Sequence, residues 1–155
     1  MQKLPDSFTV AQVAEMLGVS EKSVRDFINS GEIAAVKVGQ WRINRQALED
    51  FMQSRSNYFR SKARKEALAF LAGDDALPAD EDRVLVILDY PAPDPKGHCH
   101  LVNTLSQTVR RGSRFRWTFY YEEKSRRARH LLQGDLPLVL ALAAELDKQV
   151  GEMNA

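Results

Sequence analysis

Lys22, Arg25 and Asn29 follow one another at intervals of three and four, with Glu21 and Asp26 beside them. Residues so spaced share one face of a helix. Their side chains carry fixed hydrogen-bond donors and acceptors, the groups that contacts to nucleic-acid base edges and phosphates require. A solvated amphipathic helix shows the same pattern, so the reading depends on the elements that would hold this face out. Val24, Phe27 and Ile28 form the apolar stripe opposite it.

The surrounding residues specify such a frame. Thr9 followed by Gln12 is a capping box, in which each side chain satisfies an orphan backbone N–H of the first helical turn. Val10, Val13, Ala14 and Leu17 then recur at helical spacing, Gly18 supplies the left-handed stop, and Val19 is placed to fill the space under the turn. Ser20 is a good N-cap for a helix over 21–30, which Gly31 ends. Segments 34–38 and 41–44 flank Gly39-Gln40, and a Gly-first two-residue loop suits a type II′ hairpin turn. Lys37, Gln40 and Arg42 fall near the tip, and Trp41 is expected to pack against the helices. Asn44 caps a third helix whose Leu48, Phe51 and Met52 face inward. Two helices joined by a short Gly-containing turn are the unit that sets one helix into a DNA major groove, and the hairpin after them is the wing.

On the pieces FTVAQVAEMLGVS, SVRDFINSGEIAAVKVG and WRINRQALEDF, residues 8–52 resemble the excisionase-type winged helix-turn-helix module, a compact relative of the MerR DNA-binding domain. The resemblance covers about 30% of the chain. It implies that the helix after the GVS turn enters the major groove of double-stranded DNA while the wing contacts the backbone or minor groove. Carried over by position, the DNA-binding residues are Ser20, Lys22, Ser23, Arg25 and Asn29 on the helix, with Lys37, Gln40, Arg42 and Arg45 on and after the wing. The departure is at the wing, where this chain has one residue fewer between Gly39 and Trp41. A shorter, less basic wing reaches less far.

Beyond the module, Leu48, Met52, Arg55, Phe59, Ala63, Ala67 and Phe70 keep a spacing of three and four. They predict one long helix to about residue 72, with Ser54, Ser56 and Asn57 as the weak point. MerR-like proteins dimerise through a helix at this place, so the resemblance makes the stretch a candidate dimer element. Residues 73–82, GDDALPADED, form an acidic Pro- and Gly-containing linker with nothing to bury. It carries five of the 21 acidic residues and no basic one. The net charge of +1 therefore hides two mildly basic segments on either side of it.

The second half has another rhythm. Residues 83–90, RVLVILDY, form the near-continuous apolar run of a strand buried on both faces. Helical spacing of Leu101, Val102, Leu105 and Val109 follows, stopped by Gly112, and 114–122 alternate as a second strand. Strand, helix and strand favour a βαβ unit. Residues 125–133 and 136–150 read as closing helices, with Asp135 as a cap. Two strands make a poor sheet, which a dimer that joins sheets, or packs the last helix against its mate, would solve.

Other candidate chemistry falls away. His98, Cys99 and His100 are adjacent on one helix and point apart, so they cannot close on one metal ion without further ligands. Asp89 and Asp94 flank a strand end where α/β ligand sites open. No Gly-rich phosphate loop, Walker motif or nucleophile elbow accompanies them, so no catalytic residue and no cofactor are expected. Arg110, Arg111, Arg114, Arg116, Lys124, Arg126, Arg127 and Arg129 form a dense basic cluster, read either as a second nucleic-acid surface or as a rim that pairs with the acidic linker. A single cysteine excludes an internal disulfide. The first residues lack the apolar core of a signal peptide. The longest apolar run, 136–144, is far short of the roughly 20 residues of a membrane span.

The expectation is an α+β protein of the cytoplasm, not an enzyme. Residues 1–72 would be a winged helix-turn-helix with a basic helical extension, 73–82 a linker, and 83–155 a small α/β domain for dimerisation or a partner. It would act as a homodimeric transcription regulator, as an excisionase-like recombination or DNA-architecture factor, or as a regulator sensing a small-molecule effector through 83–155.

Overall fold

The computed structural model describes residues 7–73, 82–109 and 115–155. Strand β1 (Ser7–Thr9) leads into helix α1 (Val10–Leu17), and α2 (Glu21–Asn29) follows the turn. The capping box forms: Gln12 N donates to Thr9 Oγ1 at 3.2 Å and Thr9 N to Gln12 Oε1 at 2.9 Å. Gly18 adopts φ +67°, the left-handed conformation that a Cβ disfavours, and closes α1. Strands β2 (Val36–Val38) and β3 (Gln40–Asn44) form the wing, and β1 joins them in a three-stranded sheet ordered β1-β3-β2.

The wing turn differs from the predicted one. Lys37 pairs with Trp41 and Val38 with Gln40, so the hairpin centres on Gly39 alone, at φ +73°. Gly39 permits this tighter turn, because without a Cβ it adopts the positive φ at no steric cost, while on the other side of β3 buried Ile43 is held opposite buried Phe8 of β1.

The predicted long helix is two. Helix α3 (Arg45–Ser54) ends at Arg55, whose backbone leaves the helical region (φ −106°, ψ 35°), and α4 (Ser56–Ala72) continues in a new direction. The inward side of α4 packs on the sheet of its own chain. Lys62 and Glu66 pair with each other, Thr118 Oγ1 donates to Glu66 Oε2 at 2.5 Å, and Arg60 reaches Glu122 at 3.4 Å. Most of the 73–82 linker lies outside the described residues.

The second half is one antiparallel sheet ordered β4-β6-β5, made of β4 (Arg83–Pro91), β5 (Phe115–Glu122) and β6 (Arg127–Asp135). Helix α5 (Pro95–Ser106) connects β4 to β5, and α6 (Leu136–Met153) ends the chain. The βαβ expectation needs two corrections. Strands β4 and β5 are parallel to each other but do not pair, because β6 lies between them, antiparallel to both. And β6 occupies the place given to a helix over 125–133. Arg, Ala, Leu and Gln there are good helix formers, but the slot offers backbone partners on both sides, and tertiary pairing overrides propensity. Gly112 and the cluster residues Arg110, Arg111 and Arg114 lie outside the described residues.

The halves share one apolar core. Leu17, Met52 and Phe59 from the first close around Val102, Trp117 and Phe119 from the second, leaving a void of only about 10 Å³. Where α5 packs on the sheet, His98 of α5 and His130 of β6 are fully buried, with their Nε2 atoms 2.8 Å apart, and Trp117 Nε1 donates to His130 Nδ1 at 3.2 Å. No helix among the described residues is long and apolar enough to cross a membrane.

Candidate nucleic-acid interface

Val24, Phe27 and Ile28 bury one side of α2 against α1 and α3, which leaves the other side in solvent. Ser20 caps the helix, accepting from Ser23 N at 3.0 Å and donating to Ser23 Oγ at 2.9 Å. Lys22 lies 3.2 Å from Asp26 and Arg25 3.6 Å from Glu21, each pair one turn apart and exposed. Pairs of this kind contribute about 0.3–0.5 kcal/mol, so a phosphate can displace either carboxylate at little cost. Asn29 is exposed at the far end of the helix.

The wing sits across from this face. Thr9, Val10, Glu21, Arg25, Lys37, Gln40 and Trp41 line a cleft of about 250 Å³ between the start of α1, α2 and the hairpin. Lys37 Nζ lies 5.6 Å from the Trp41 ring centroid, and Trp41 is half-buried against the core. Thus Arg25, Lys37 and Gln40 share one recess. Arg42 instead turns back, donating to Ser7 Oγ at 2.8 Å, and Arg45 is half-buried at the first residue of α3. Val36 and Val38 are 65% and 71% exposed on either side of exposed Lys37, so the tip of the wing mixes apolar and basic side chains. The backbone at Thr9 and Val10, on the rim of the recess, escaped the sequence reading, although the capping box already placed a helix start there.

The other candidates resolve into structure. Asp94 caps α5, accepting from Gly97 N at 3.1 Å, and a Cβ at Gly97 would lie 2.4 Å from the Asp94 carboxylate, so a larger residue there would displace the capping side chain. Asp89 holds Arg127 at 3.0 Å and Arg129 at 3.8 Å, and Arg129 also reaches Glu122 at 3.7 Å. Two members of the basic cluster, Arg127 and Arg129, therefore pair with acids of their own sheet, and Arg126 donates to the Pro93 carbonyl at 3.4 Å. His98, Cys99 and His100 diverge: His98 meets His130, Cys99 is buried with its thiol pushed up to about 12 by burial, and His100 bonds Glu49 across the halves at 2.9 Å. No group of three or more potential metal ligands occurs among the described residues.

Residues 7–56 match the model of a family described as a helix-turn-helix domain. The chain therefore has an N-terminal helix-turn-helix domain in a mixed α+β fold with two small sheets. That domain is a non-catalytic DNA-binding module, consistent with a protein that is not an enzyme. No curated protein and no solved structure matches the chain.

Proposed function

We propose that the protein is a homodimeric, sequence-specific transcription regulator of the MerR/excisionase-like class. Helix α2 enters the major groove of double-stranded DNA, with Ser20, Lys22, Ser23, Arg25 and Asn29 along the contact. The hairpin follows the adjoining backbone through Lys37 and Gln40, with Arg42 and Arg45 behind it. The observation that carries this reading is the recess in which Arg25 of α2 faces Lys37 and Gln40 of the wing. A base edge presented to the helix leaves its phosphates beside the hairpin. Residues 83–155 serve assembly, joined through 73–82. The test is recovery of bound genomic DNA followed by sequencing. An enriched motif shared by the recovered fragments is expected, and recovery no richer than that of random DNA would sink the proposal.

A second reading has its own observation. Ser56, Asn57 and Arg60, from the α3–α4 junction, and Glu122, Glu123 and Lys124, from the β5–β6 hairpin, line a polar cleft of about 550 Å³. A small polar effector held there would touch both halves and modulate DNA binding. Thermal-shift screening with polar metabolites should then find a stabiliser whose effect disappears in Arg60→Ala.

A further inference from the structure

The sheet of the second half has two outer strands, and they are treated differently. Strand β5 carries the first half: α4 packs on it, and the turn at Gly18 lies against the Trp117 carbonyl oxygen. Strand β4 pairs with β6 on one side and has no second neighbour among the described residues. Outer strands of soluble proteins are normally protected by bulges, lysines, prolines or shortness. Strand β4 has no lysine or bulge, is not short, and carries a proline only at its end. Its nine residues pair with β6 without interruption from Arg83↔Asp135 to Pro91↔Arg127, its only proline is the last residue, and Val84–Leu88 is wholly apolar. Ile87 is 54% exposed.

We infer that β4 is the dimer interface, pairing antiparallel with β4 of a second copy to make one six-stranded sheet. This rests on the homodimer reading above and gives it a surface. The strand is complementary to itself in one register. A two-fold axis normal to the sheet keeps each face on its own side, so only residues of equal parity stand opposite. Centred on Val86, the axis sets Arg83 opposite Asp89, Val84 opposite Leu88 and Leu85 opposite Ile87 of the second copy. Opposite charges meet at both ends, apolar side chains meet between them, and such pairs are the stabilising unit of a sheet. The neighbouring register centred on Ile87 fails, because it sets Leu85 against Asp89 and Arg83 against Pro91.

The geometry has a consequence for DNA. The order becomes β5-β6-β4-β4-β6-β5, so the two helix-turn-helix modules sit at the outer ends. At ~4.8 Å per strand the two β5 strands are ~24 Å apart, and the modules lie beyond them. That accommodates half-sites one helical turn apart, about 34–36 Å.

Sedimentation equilibrium of the full chain at tens of micromolar tests this. A dimer is expected. Ile87→Lys and Ile87→Glu should each raise its dissociation constant at least about tenfold, since either charge would stand against an apolar residue at the join. Leu71→Lys, on a side chain 80% exposed at the end of α4, should leave it unchanged. Near-ultraviolet circular dichroism verifies that each variant is folded. A wild-type monomer, or a dimer that survives both Ile87 variants, would overturn the assignment. The Ile87 variants leave the module intact, so their binding to a single half-site should persist. Absence of that binding, with the dimer behaving as stated, counts against the DNA-binding proposal and not against the interface.

Discussion

In the first half Lys22, Arg25 and Asn29 stand in solvent around an interior whose one buried charged residue among those described is Glu49, whereas the second half places His98 and His130 at the centre of its core. The contrast separates two uses of polar chemistry. On α2 the charged groups hold only exposed partners on their own helix, so a ligand can recruit them. In the second half Trp117 is held by His130, His130 by His98, and Asp89 by the arginines of β6, so these polar groups serve the fold. Substitutions in the sheet should therefore act on stability, and substitutions on α2 on binding, with little crossing between the two.

The largest expected effect is at Leu132, fully buried at the middle of β6. Leu132→Ala removes a core side chain and leaves a cavity, which costs about 2–5 kcal/mol. Because the halves share a core, urea should unfold both in one transition at a lower midpoint. Two separated transitions would show that the contrast divides independent units rather than two parts of one.

Acidification should weaken the same core. Burial lowers the His98 pKa from 6.5 to about 4 against the opposing pull of Asp94, and burial followed by the His98 charge lowers His130 well below 6.5. The folded state therefore favours neutral rings, while the unfolded chain takes up protons as pH falls through 6.5. The stability from these groups is complete above that value and is lost on acidification, for His98 progressively down to about pH 4. At about 1.4 kcal/mol per pH unit this is roughly 3 kcal/mol from His98 alone. A fall in urea midpoint that begins near pH 6.5 is the signature of the imidazoles. A flat profile from pH 7 to 4.5 would mean that the rings are not held neutral.

How legible each half was in the sequence follows the same division. The module's elements close within a few residues of themselves: Thr9 with Gln12, Ser20 with Ser23, Asn44 with Ala47, Gly18 at its own stop. Local chemistry of that kind can be read from one sequence. Strand β6 depends on β4 partners some three to five dozen residues away, from Pro91↔Arg127 to Arg83↔Asp135, and its Arg-Ala-Arg-His-Leu-Leu composition is equally good for a helix. Nothing local distinguishes the two outcomes until β4 and β5 stand with a gap between them. Within the candidate site, the exposed face of α2 was legible, but the turning of Arg42 onto Ser7 was not, because β1 was unforeseen.

Arg25 tests the binding side of the contrast. Arg25→Ala should cost about 1–3 kcal/mol of affinity for the preferred DNA site if Arg25 reads a base there. It removes only an exposed pair with Glu21, so the urea midpoint should move by less than about 0.5 kcal/mol in stability. A loss of affinity equal on specific and random DNA would reassign Arg25 to phosphate contact. A large loss of stability would break the contrast at its clearest point.

Ser20 is where the two uses meet, since it is both the N-cap of α2 and a proposed contact. Ser20→Ala should cost about 1 kcal/mol of stability through loss of the cap, and any loss of binding would then be ambiguous. Ser20→Asp separates the roles. Aspartate caps as well as serine and favours the positive end of the helix dipole, so thermal denaturation should show stability near that of the wild type. The same negative charge repels a phosphate at the end of a major-groove helix, so DNA affinity should fall while the fold holds. Wild-type affinity in Ser20→Asp would make Ser20 a cap alone and move the start of the contact surface to Lys22.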